Sequence, residues 1–548
     1  MIQIFQANKI YTMNAAQPTA THIAVSDGNI VAIGDIEDVK HLSNHVDTSF
    51  VDKVFLPGFV EAHSHATEGT FWRHTYCGFF DRADPDGRVW AGLKSVGEIV
   101  LRLKKIAAVA SGSLTGWGID PIYFQNTSFT RHDLDEVSRE IPVGLVHASC
   151  HIVSVNSKAL ELLGLLRNGI IHPGIVLGDD GLPNGELRGP EAIALIGPSL
   201  GFDYDLLGCD ADGLRKFARL CVRKGVTTAS DFANPLSDNL VQTMLKTTAE
   251  PDYPIRLVSL LRSRELSGEA LIQRAKVLKK LSTERLRLGS VKLVADGSIQ
   301  GFTARLRSGR YFNGAPNGLW YVSKEDLLNA YVYALKYDIQ IHAHTNGDQA
   351  TELVIACIKE ALQLSCHDNH RFVIQHCQLV DDDLLIKMKQ LNVSGNFFIN
   401  HVYYWGDQHA AYTVGPDRAA QMNPCASALR HGLQIAIHSD APITPLDPLF
   451  TAWCATCRET VSGKILGPNE CIKVSEALYA ITMGAAYTLG LDHEVGSLEV
   501  GKRADFAVLE QDPFMRQASF LREVSVWGTV QSGRVFQAQR PMCDGDIK

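Results

Sequence analysis

Hydrophobic and polar positions alternate between two patterns in the second half of the chain. Short apolar, β-branched runs bounded by turns are separated by longer stretches in which apolar residues recur every three or four positions. The first pattern is typical of buried strands and the second of amphipathic helices. The predicted helices are residues 211–224, 268–281, 324–337, 349–364, 381–391 and 418–431.

Eight strands are predicted over the same region. They are the run that ends before His63 and residues 225–231, 255–261, 288–296, 339–344, 371–376, 392–398 and 433–440. Strands that alternate with helices imply a parallel sheet with right-handed crossovers. Eight such units favour an α/β fold of the (β/α)8 or TIM-barrel type, with the active site at the carboxyl ends of its strands. The alternative, an open doubly wound sheet, would need a glycine-rich phosphate turn, which we do not find.

Two terminal segments and one internal segment depart from this alternation. Residues 1–56 and 494–548 contain short β-rich runs, and we predict that together they form a small β-sandwich. Between residues 72–200, glycine-rich turns and aromatic segments replace the regular pattern. We interpret this segment as an inserted, substrate-shaping domain after the first barrel strand. The barrel would then comprise residues 57–71 and 201–493.

Composition narrows the classes of partner. The chain has 548 residues, of which 45% are apolar, and a net charge of −8 without a long basic run, so nucleic-acid binding is not favoured. The first residues lack the pattern of a signal peptide, and no run approaches the ~18 apolar residues of a membrane span. The 12 cysteines are scattered, which is typical of a reduced compartment. We therefore expect a cytoplasmic protein with a small-molecule substrate and neither nucleic acid nor membrane as partner; a homodimer is left open.

The ends of the predicted strands carry candidate chemistry. His63 and His65 follow the first strand one residue apart, so an extended backbone would place both imidazoles on one face. A neutral imidazole is a common ligand for zinc and related metals. Further metal-ligand residue types, and one strand lysine, lie in or at the ends of later strands: Lys292, His342, His344, His376 and Asp440. This recurrence favours a metal site over ordinary polar strand ends.

The chain resembles the amidohydrolase superfamily, and within it the amidohydrolase 3 or YtcJ-like metal-dependent amidases. The resemblance is collinear and extends over nearly the whole sequence. It is carried by Pro57-Gly58-Phe59-Val60-Glu61-Ala62-His63-Ser64-His65, His151 with Asn156-Ser157-Lys158, Val291-Lys292-Leu293 with Asp296-Gly297-Ser298, His344 with Gly347-Asp348, Gln375-His376-Cys377-Gln378, Ser439-Asp440-Ala441-Pro442 and the tail from Gly496 to Asp505.

The resemblance implies one or two divalent ions per chain and a ligand role for six residues. The implied ligands are His63, His65 and Asp440 for one ion, His344 and His376 for a second, and a bridging Lys292 that is N-carboxylated by carbon dioxide. Zinc is the default ion for such a histidine-rich site, with manganese, iron and cobalt as alternatives. We place His342 and His438 one layer below the ligands.

Three departures from the family's pattern are visible. Gln300-Gly301-Phe302 stands where a Gly-Ser-Arg-like segment is usual. Strand seven runs into Asn396, where Gln-Pro is commoner, and His438 precedes Ser439 where a small residue is usual. We interpret these departures as bearing on the substrate and not on the metal site.

The expected activity is hydrolysis of a non-peptide C–N bond, the amide of a small N-acyl substrate, by metal-bound hydroxide. Asp440 is expected to take the proton from the nucleophile and deliver it to the leaving nitrogen. An esterase, a lactonase or a deaminase on the same site is one alternative. A non-catalytic regulatory binding protein is another.

Aromatic residues mark a candidate substrate pocket. They are concentrated in the insertion and in the loop after strand seven, and loops at the carboxyl face of a barrel form its substrate site. The pocket candidates are Trp117, His151, His401 and Tyr403. We therefore expect an apolar or aromatic N-acyl group. The alternative is that these aromatics pack the insertion onto the barrel.

Overall fold

The computed structural model describes residues 2–110, 112–124, 129–150, 152–200, 210–262, 265–365, 367 and 369–538. The chain divides into two compact units. The first comprises Met1–His65 and Cys221–Gln539, and the second comprises Ala66–Leu220. The division into three domains stays a prediction.

The described residues form 24 strands. In chain order they are β1 (Gln3–Tyr11), β2 (Thr19–Ser26), β3 (Asn29–Gly34), β4 (Val46–Pro57), β5 (Phe59–Glu61), β6 (Thr75–Tyr76), β7 (Arg82–Ala83), β8 (Val89–Trp90), β9 (Leu114–Ile119), β10 (Val143–His147), β11 (Ile152–Val155), β12 (Ile175–Leu177), β13 (Pro183–Arg188), β14 (Val226–Asn234), β15 (Arg256–Leu261), β16 (Leu286–Arg287), β17 (Val291–Val294), β18 (Ile341–Thr345), β19 (Val373–His376), β20 (Ser394–Phe397), β21 (Ile435–Ile437), β22 (Phe506–Leu509), β23 (Val526–Gln531) and β24 (Arg534–Gln537).

The α-helices of the described residues are mostly short. They are α1 (Ile36–Val39), α2 (Thr67–Phe71), α3 (Val96–Ala107), α4 (Arg131–Asp135), α5 (Ser157–Leu162), α6 (Gly189–Ile196), α7 (Ala211–Arg223), α8 (Asp238–Thr248), α9 (Gly268–Lys279), α10 (Lys324–Tyr337), α11 (Asp348–Leu364), α12 (Asp382–Gln390), α13 (Asn400–Gln408), α14 (Pro416–Ala420), α15 (Cys425–Arg430), α16 (Pro448–Cys457), α17 (Val474–Ala480) and α18 (Met483–Thr488). Within the described part of the chain, no helix combines the length and the apolar composition that a membrane span requires.

A parallel sheet forms the centre of the first unit. Its main path has eight strands in the order β21-β20-β19-β18-β17-β15-β14-β5, which is the order of the chain, and β16 pairs beside β15. Every neighbouring pair along this path is parallel. Helices separate most of these strands. The predicted α/β class with a parallel sheet is therefore confirmed.

The segments that follow the two outer strands are joined to each other. Ser64, after β5, and Ala441, after β21, form a parallel bridge. The His65 N–H donates to the Ala441 carbonyl oxygen at 2.7 Å, and the Asp440 N–H donates to the His63 carbonyl oxygen at 3.1 Å. These bonds hold the first and the last strand of the path together at their carboxyl ends.

Local sequence explains how the first strand enters this sheet. A Cβ atom on Gly58 would lie 2.0 Å from Oγ1 of Thr227 in the neighbouring strand, so a side chain does not fit there. The strands are buried on both faces, and one apolar cluster includes Val60, Phe232 and Leu260 together with Ala485 of α18. Burial on both faces accounts for the continuous apolar runs in the sequence.

The two terminal segments form a single seven-stranded sheet. Its order is β24-β23-β22-β4-β1-β2-β3, with β1 and β4 parallel and the other pairs antiparallel. Strands from both ends of the chain share one apolar core, in which the rings of Phe5, Phe50, Phe55 and Phe506 are in contact. The N- and C-terminal β-rich segments thus share one sheet and one apolar core.

The second unit has its own six-stranded sheet, in the order β12-β13-β11-β10-β9-β6. Helix α3 begins at Ser95, whose side chain accepts a hydrogen bond from the Glu98 N–H, and it buries Ile99, Val100 and Leu103. Such a cap satisfies one of the free N–H groups of the first turn.

Two sequence expectations about local structure are wrong. Residues 418–431 are not one helix, because Pro424 lacks an N–H and Asn423 before it takes a φ of +49°, so α14 and α15 are separate. The segment after strand seven is not a loop but the helix α13, continued by a π-helical turn at His409–Thr413. From sequence this aromatic-rich segment is expected to be a loop, whereas most of the residues of α13 are buried.

A buried ion pair links the two sheets of the first unit and predicts a large stability effect. Arg256 Nη1 of β15 donates to Asp505 Oδ2 at 2.8 Å, and the two side chains are 0% and 2% exposed. Arg256→Ala leaves a buried carboxylate without its cation and should cost about 3–5 kcal/mol of unfolding free energy. Urea unfolding measures this loss. Lys279→Ala, which removes an exposed ion pair with Asp338, should change the unfolding free energy by less than about 1 kcal/mol. Equal effects of the two variants would contradict the prediction.

Candidate metal centre

The structure brings together the residues that the sequence singled out at the strand ends. His63 and His65 follow β5, and Asp440 follows β21. Asp440 Oδ1 lies 3.1 Å from His65 Nε2 and 3.4 Å from His63 Nε2. His376, the last residue of β19, places Nδ1 3.9 Å from Asp440 Oδ2.

The remaining two predicted residues border the same group. Lys292 Nζ of β17 lies 3.3 Å from His63 Nε2. The ring of His344 in β18 is 4.4 Å from the ring of His376, which in turn is 4.6 Å from the ring of His63. All six predicted positions therefore form one connected cluster.

Left-handed backbone at two strand ends turns side chains into this cluster. His376 has a φ of +73° and Asp440 a φ of +52°, values that non-glycine residues rarely adopt. In a regular strand Gln375 and His376 would face opposite sides. Because the chain leaves the extended conformation at His376, both side chains contact the same group of residues, and Gln375 also reaches His63. Strain of this kind costs of order 1–3 kcal/mol and often occurs at active sites and ligand-binding segments.

Gln375 decides which nitrogen of His63 is available. The Gln375 side-chain oxygen accepts hydrogen bonds from His63 Nδ1 at 2.6 Å and from Asn396 Nδ2 at 2.8 Å, and its amide nitrogen donates to His342 Nδ1 at 2.8 Å. With its proton on Nδ1, His63 directs the lone pair of Nε2 towards Asp440 and Lys292. An outer hydrogen bond of this kind orients a metal-ligating imidazole.

Sequence reasoning assigned no role to Gln375, Asn396 or Glu61. Gln375 and Glu61 stood in quoted motifs, but a motif does not show which neighbour a side chain contacts. Glu61 Oε1 accepts the Ser439 N–H at 3.0 Å and so ties β5 to the residue before Asp440. Burial raises the pKa of Glu61 to about 8, although hydrogen bonds from Ser439 and His63 oppose the shift.

Asp296 organises the loops beside His344. Its carboxylate accepts the N–H groups of Asn346, Gly347 and Arg305 at 2.8–3.0 Å. Burial raises its pKa to about 7, against the effect of these donors. Asp296 Oδ1 lies 3.7 Å from His344 Nε2, so the same carboxylate positions the end of β18 and the start of α11.

His63 and His376 of this cluster have lowered pKa values, so their imidazoles favour the neutral form. Burial, followed by the charge of Lys292, holds the pKa of His63 well below its ordinary value. Burial and the neighbouring His344 do the same to His376. Burial also lowers the pKa of Lys292 to about 7, although the charge of Asp440 opposes this shift. For Asp440, burial favours the neutral acid, but the hydrogen bond from His65 keeps its pKa below the ordinary value.

The donors present fit a divalent ion. Ligand atoms of His63, His65 and Asp440 lie within 4.8 Å of one another, as do those of His63, His376 and His438. His65 Nδ1 and His376 Nδ1 are buried and have no hydrogen-bond partner among the described residues. Neutral imidazoles with free lone pairs, next to a carboxylate, are the ligand set that zinc and related ions take.

The pocket candidates are found in different surroundings. Trp117 is 2% exposed and belongs to an aromatic cluster of the second unit, with Phe71, Trp72 and Tyr76. Tyr403 of α13 packs on the rings of Tyr404, Phe450 and Trp453. His151 lies outside the described residues.

His401 is a buried member of a hydrogen-bonded row. Its Nδ1 lies 3.0 Å from His409 Nε2, and His409 Nδ1 lies 2.8 Å from the Thr413 hydroxyl. The ring of His401 also contacts Phe398, which borders His376. The pocket roles of Trp117, Tyr403 and His401 stay predictions.

Two relatives are similar in sequence over nearly the whole length of the chain. YtcJ of Bacillus subtilis (strain 168), whose name assigns it to the amidohydrolases, is 26% identical over 98% of this chain and 99% of its own. The N-substituted formamide deformylase of Arthrobacter pascens is 25% identical over 97% of each chain.

Solved structures share the fold. The crystal structure of an uncharacterised metal-dependent hydrolase from Pyrococcus horikoshii OT3 matches with a TM-score of 0.73 at 19% identity, over 94% of this chain and 99% of that one. The sequence profile of the Amidohydrolase family matches residues 52–537. The chain therefore belongs to the amidohydrolase family.

Proposed function

We propose that this amidohydrolase cleaves the C–N bond of a small N-acyl substrate, an amide that is not a peptide, with a divalent ion at the candidate metal centre. One observation carries the proposal: the carboxylate of Asp440 lies within 3.4 Å of two histidine nitrogens, in a cluster of largely buried imidazoles at the strand ends. The relative from Arthrobacter pascens, whose name refers to an N-substituted formamide, supports the choice of an amide.

We infer a closed (β/α)8 barrel as the scaffold. The parallel bridge between Ser64 and Ala441 supports closure, because it joins the two outer strands of the eight-stranded path. Carboxyl ends of barrel strands are where such enzymes hold their catalytic groups. The terminal sheet, which surrounds one apolar core, would be the small β-sandwich.

The ligand roles follow from position. His63, His65 and Asp440 would hold one ion, and His344 and His376 would border a second. A bound divalent ion would lower the pKa of water and polarise the carbonyl group of the substrate. Zinc suits the imidazole-rich donors best.

Asp440 would carry the proton during hydrolysis. Its carboxylate is held in the unprotonated form by His65, so it can accept a proton from the attacking water. The same carboxyl group can then donate that proton to the nitrogen of the leaving amine, which must be protonated to depart. The side chains of His65 and His344 are 19% and 16% exposed, which supports entry of the substrate from their side of the cluster.

Lys292 would become a bridging ligand after reaction with carbon dioxide. Its neutral amine nitrogen adds to the carbon of carbon dioxide, an N–C bond forms, and one proton is released. The resulting carbamate is an anion with two oxygen donors. Burial of Lys292 beside His63 and the Phe232 ring favours the neutral amine that this addition requires.

The activity itself can be tested with a substrate panel. Purified protein should hydrolyse N-acyl amides with apolar or aromatic groups, lose this activity in a chelator and regain it with Zn²⁺. Matched esters, lactones and amino-substituted heterocycles test the esterase, lactonase and deaminase alternatives. Preferred turnover of one of those sets would replace the amide proposal. A protein that binds metal but turns over none of them would be a regulatory binding protein.

Asp440→Asn separates proton transfer from metal binding. Asparagine offers an oxygen to a metal but cannot accept a proton, so kcat should fall by roughly 10²–10⁴-fold while some metal remains. Steady-state kinetics and metal analysis of the same sample measure both effects. A near wild-type kcat would move the proton transfer to another residue.

Lys292→Ala tests the bridge. The variant should contain less metal than the wild type, and short carboxylic acids should restore part of it by replacing the carbamate. Intact mass under non-denaturing conditions should show one added carbon dioxide in the wild type only. Lys324→Ala, on an exposed lysine, serves as the control. Full metal content and activity in Lys292→Ala would exclude a bridging role.

A further inference from the structure

His438 is a buried histidine that hydrogen bonding does not explain. It lies directly after β21 and is 0% exposed, and neither ring nitrogen has a hydrogen-bond partner among the described residues. A buried polar atom without a partner costs roughly 1–3 kcal/mol, so such groups are rare in folded proteins. Two such atoms on one ring are unusual, and a bound ion would account for one of them.

The neighbours of the His438 ring include two histidines of the candidate metal centre. The ring of His438 is stacked against the ring of His63, with centroids 4.7 Å apart and ring planes at 21°. It is also stacked against the ring of Phe398, with centroids 5.0 Å apart and planes at 22°. The ring of His376 lies 5.2 Å away. Nitrogen atoms of His63, His376 and His438 lie within 4.8 Å of one another.

This three-imidazole group overlaps the site already described. His63 belongs to both groups, and its Nδ1 is hydrogen-bonded to Gln375. Only Nε2 of His63, which faces Lys292 Nζ at 3.3 Å and Asp440 Oδ1 at 3.4 Å, is therefore left to bind an ion, and one nitrogen lone pair binds one ion. The two groups thus surround a single ion position from two sides, with His65 on the partly exposed side and His438 on the buried side.

We propose that His438 is a direct ligand of the ion held by His63, so that His63, His376 and His438 form a three-imidazole site at the buried side of the metal centre. The proposal deepens the proposed function, because it rests on the same metal centre. His376 would then bind the same ion as His63, besides bordering His344.

The proposal has a consequence for the choice of metal. Three neutral nitrogen donors favour zinc, cobalt, nickel or copper over magnesium, calcium or manganese, which prefer oxygen donors. His376 and His438 would bind the ion from its buried side, so water and substrate would reach it beside His65 and Asp440.

The test compares two substitutions at one position. His438→Phe keeps an aromatic ring between His63 and Phe398 but removes both nitrogens, whereas His438→Asn keeps a polar donor. If His438 is a ligand, the affinity for Zn²⁺, measured by chelator competition, should fall strongly in His438→Phe. The fall should exceed the roughly 10–100-fold that follows when a residue hydrogen-bonded to a ligand is removed. X-ray absorption of the Co²⁺ form should count one imidazole fewer in His438→Phe than in the wild type.

The control removes a buried histidine outside the cluster, whose ring nitrogens are hydrogen-bonded to the Leu391 carbonyl oxygen and the Phe372 N–H. His370 is buried, contacts the ring of Phe372 at 4.4 Å and precedes β19 at the opposite end of the strand from His376. His370→Phe should leave the Zn²⁺ affinity and the imidazole count unchanged, and circular dichroism verifies that all variants are folded.

The outcomes separate this inference from the proposed activity. An unchanged imidazole count and affinity in folded His438→Phe would overturn the inference and leave amide hydrolysis standing. A lost imidazole in a protein that hydrolyses no amide would support the inference and overturn the activity. A wild-type protein that binds no metal at all would overturn both.

Discussion

The contact between the ends of the first and the last parallel strand is the constraint on which the candidate metal centre depends. His63 and Asp440 are far apart in the chain, yet the Asp440 N–H donates to the His63 carbonyl and the His65 N–H to the Ala441 carbonyl. Glu61 adds a third link through the Ser439 N–H. These backbone bonds fix Asp440 opposite both histidines before any ion is considered. A shift of one residue in this register would turn the donors away from one another.

Burial then gives the cluster its chemical character. The same desolvation that keeps His63 and His376 neutral also lowers the pKa of Lys292. Neutral imidazoles leave lone pairs for a cation, and a neutral lysine amine can react with carbon dioxide. Asp440 is the exception, because His65 stabilises its charged form within the same low-dielectric surroundings. The carboxylate of Asp440 therefore lies beside imidazoles and an amine whose charged forms burial disfavours, an arrangement that a divalent cation would complete.

The sequence predicted this centre better than it predicted the segments around it. Strand ends could be found because apolar runs of a parallel sheet stop where polar residues begin, which is why His63, Lys292 and Asp440 were assigned to one edge. The left-handed backbone at His376 could not be foreseen, since nothing in a single sequence marks a non-glycine residue with positive φ. Helix α13 was missed because its run of aromatic residues was assigned to a substrate loop, and the break at Pro424 because the predicted helix ran through it.

Two of the three departures from the family's pattern meet on the buried side of the metal centre. Asn396 donates to the Ala62 carbonyl at 3.1 Å and to Gln375, the residue that orients His63. The ring of His438 stacks on the ring of His63. The backbone N–H of His438 donates to the carbonyl oxygen of Phe397, the residue after Asn396. Residues in such contact act together, so effects of changing them are not additive. From sequence alone the departures were interpreted as features of the substrate, and that interpretation stays a prediction. If His438 is a ligand as proposed above, Asn396 and His438 would also act on the imidazoles around the ion, Asn396 on their orientation through Gln375 and His438 on their number.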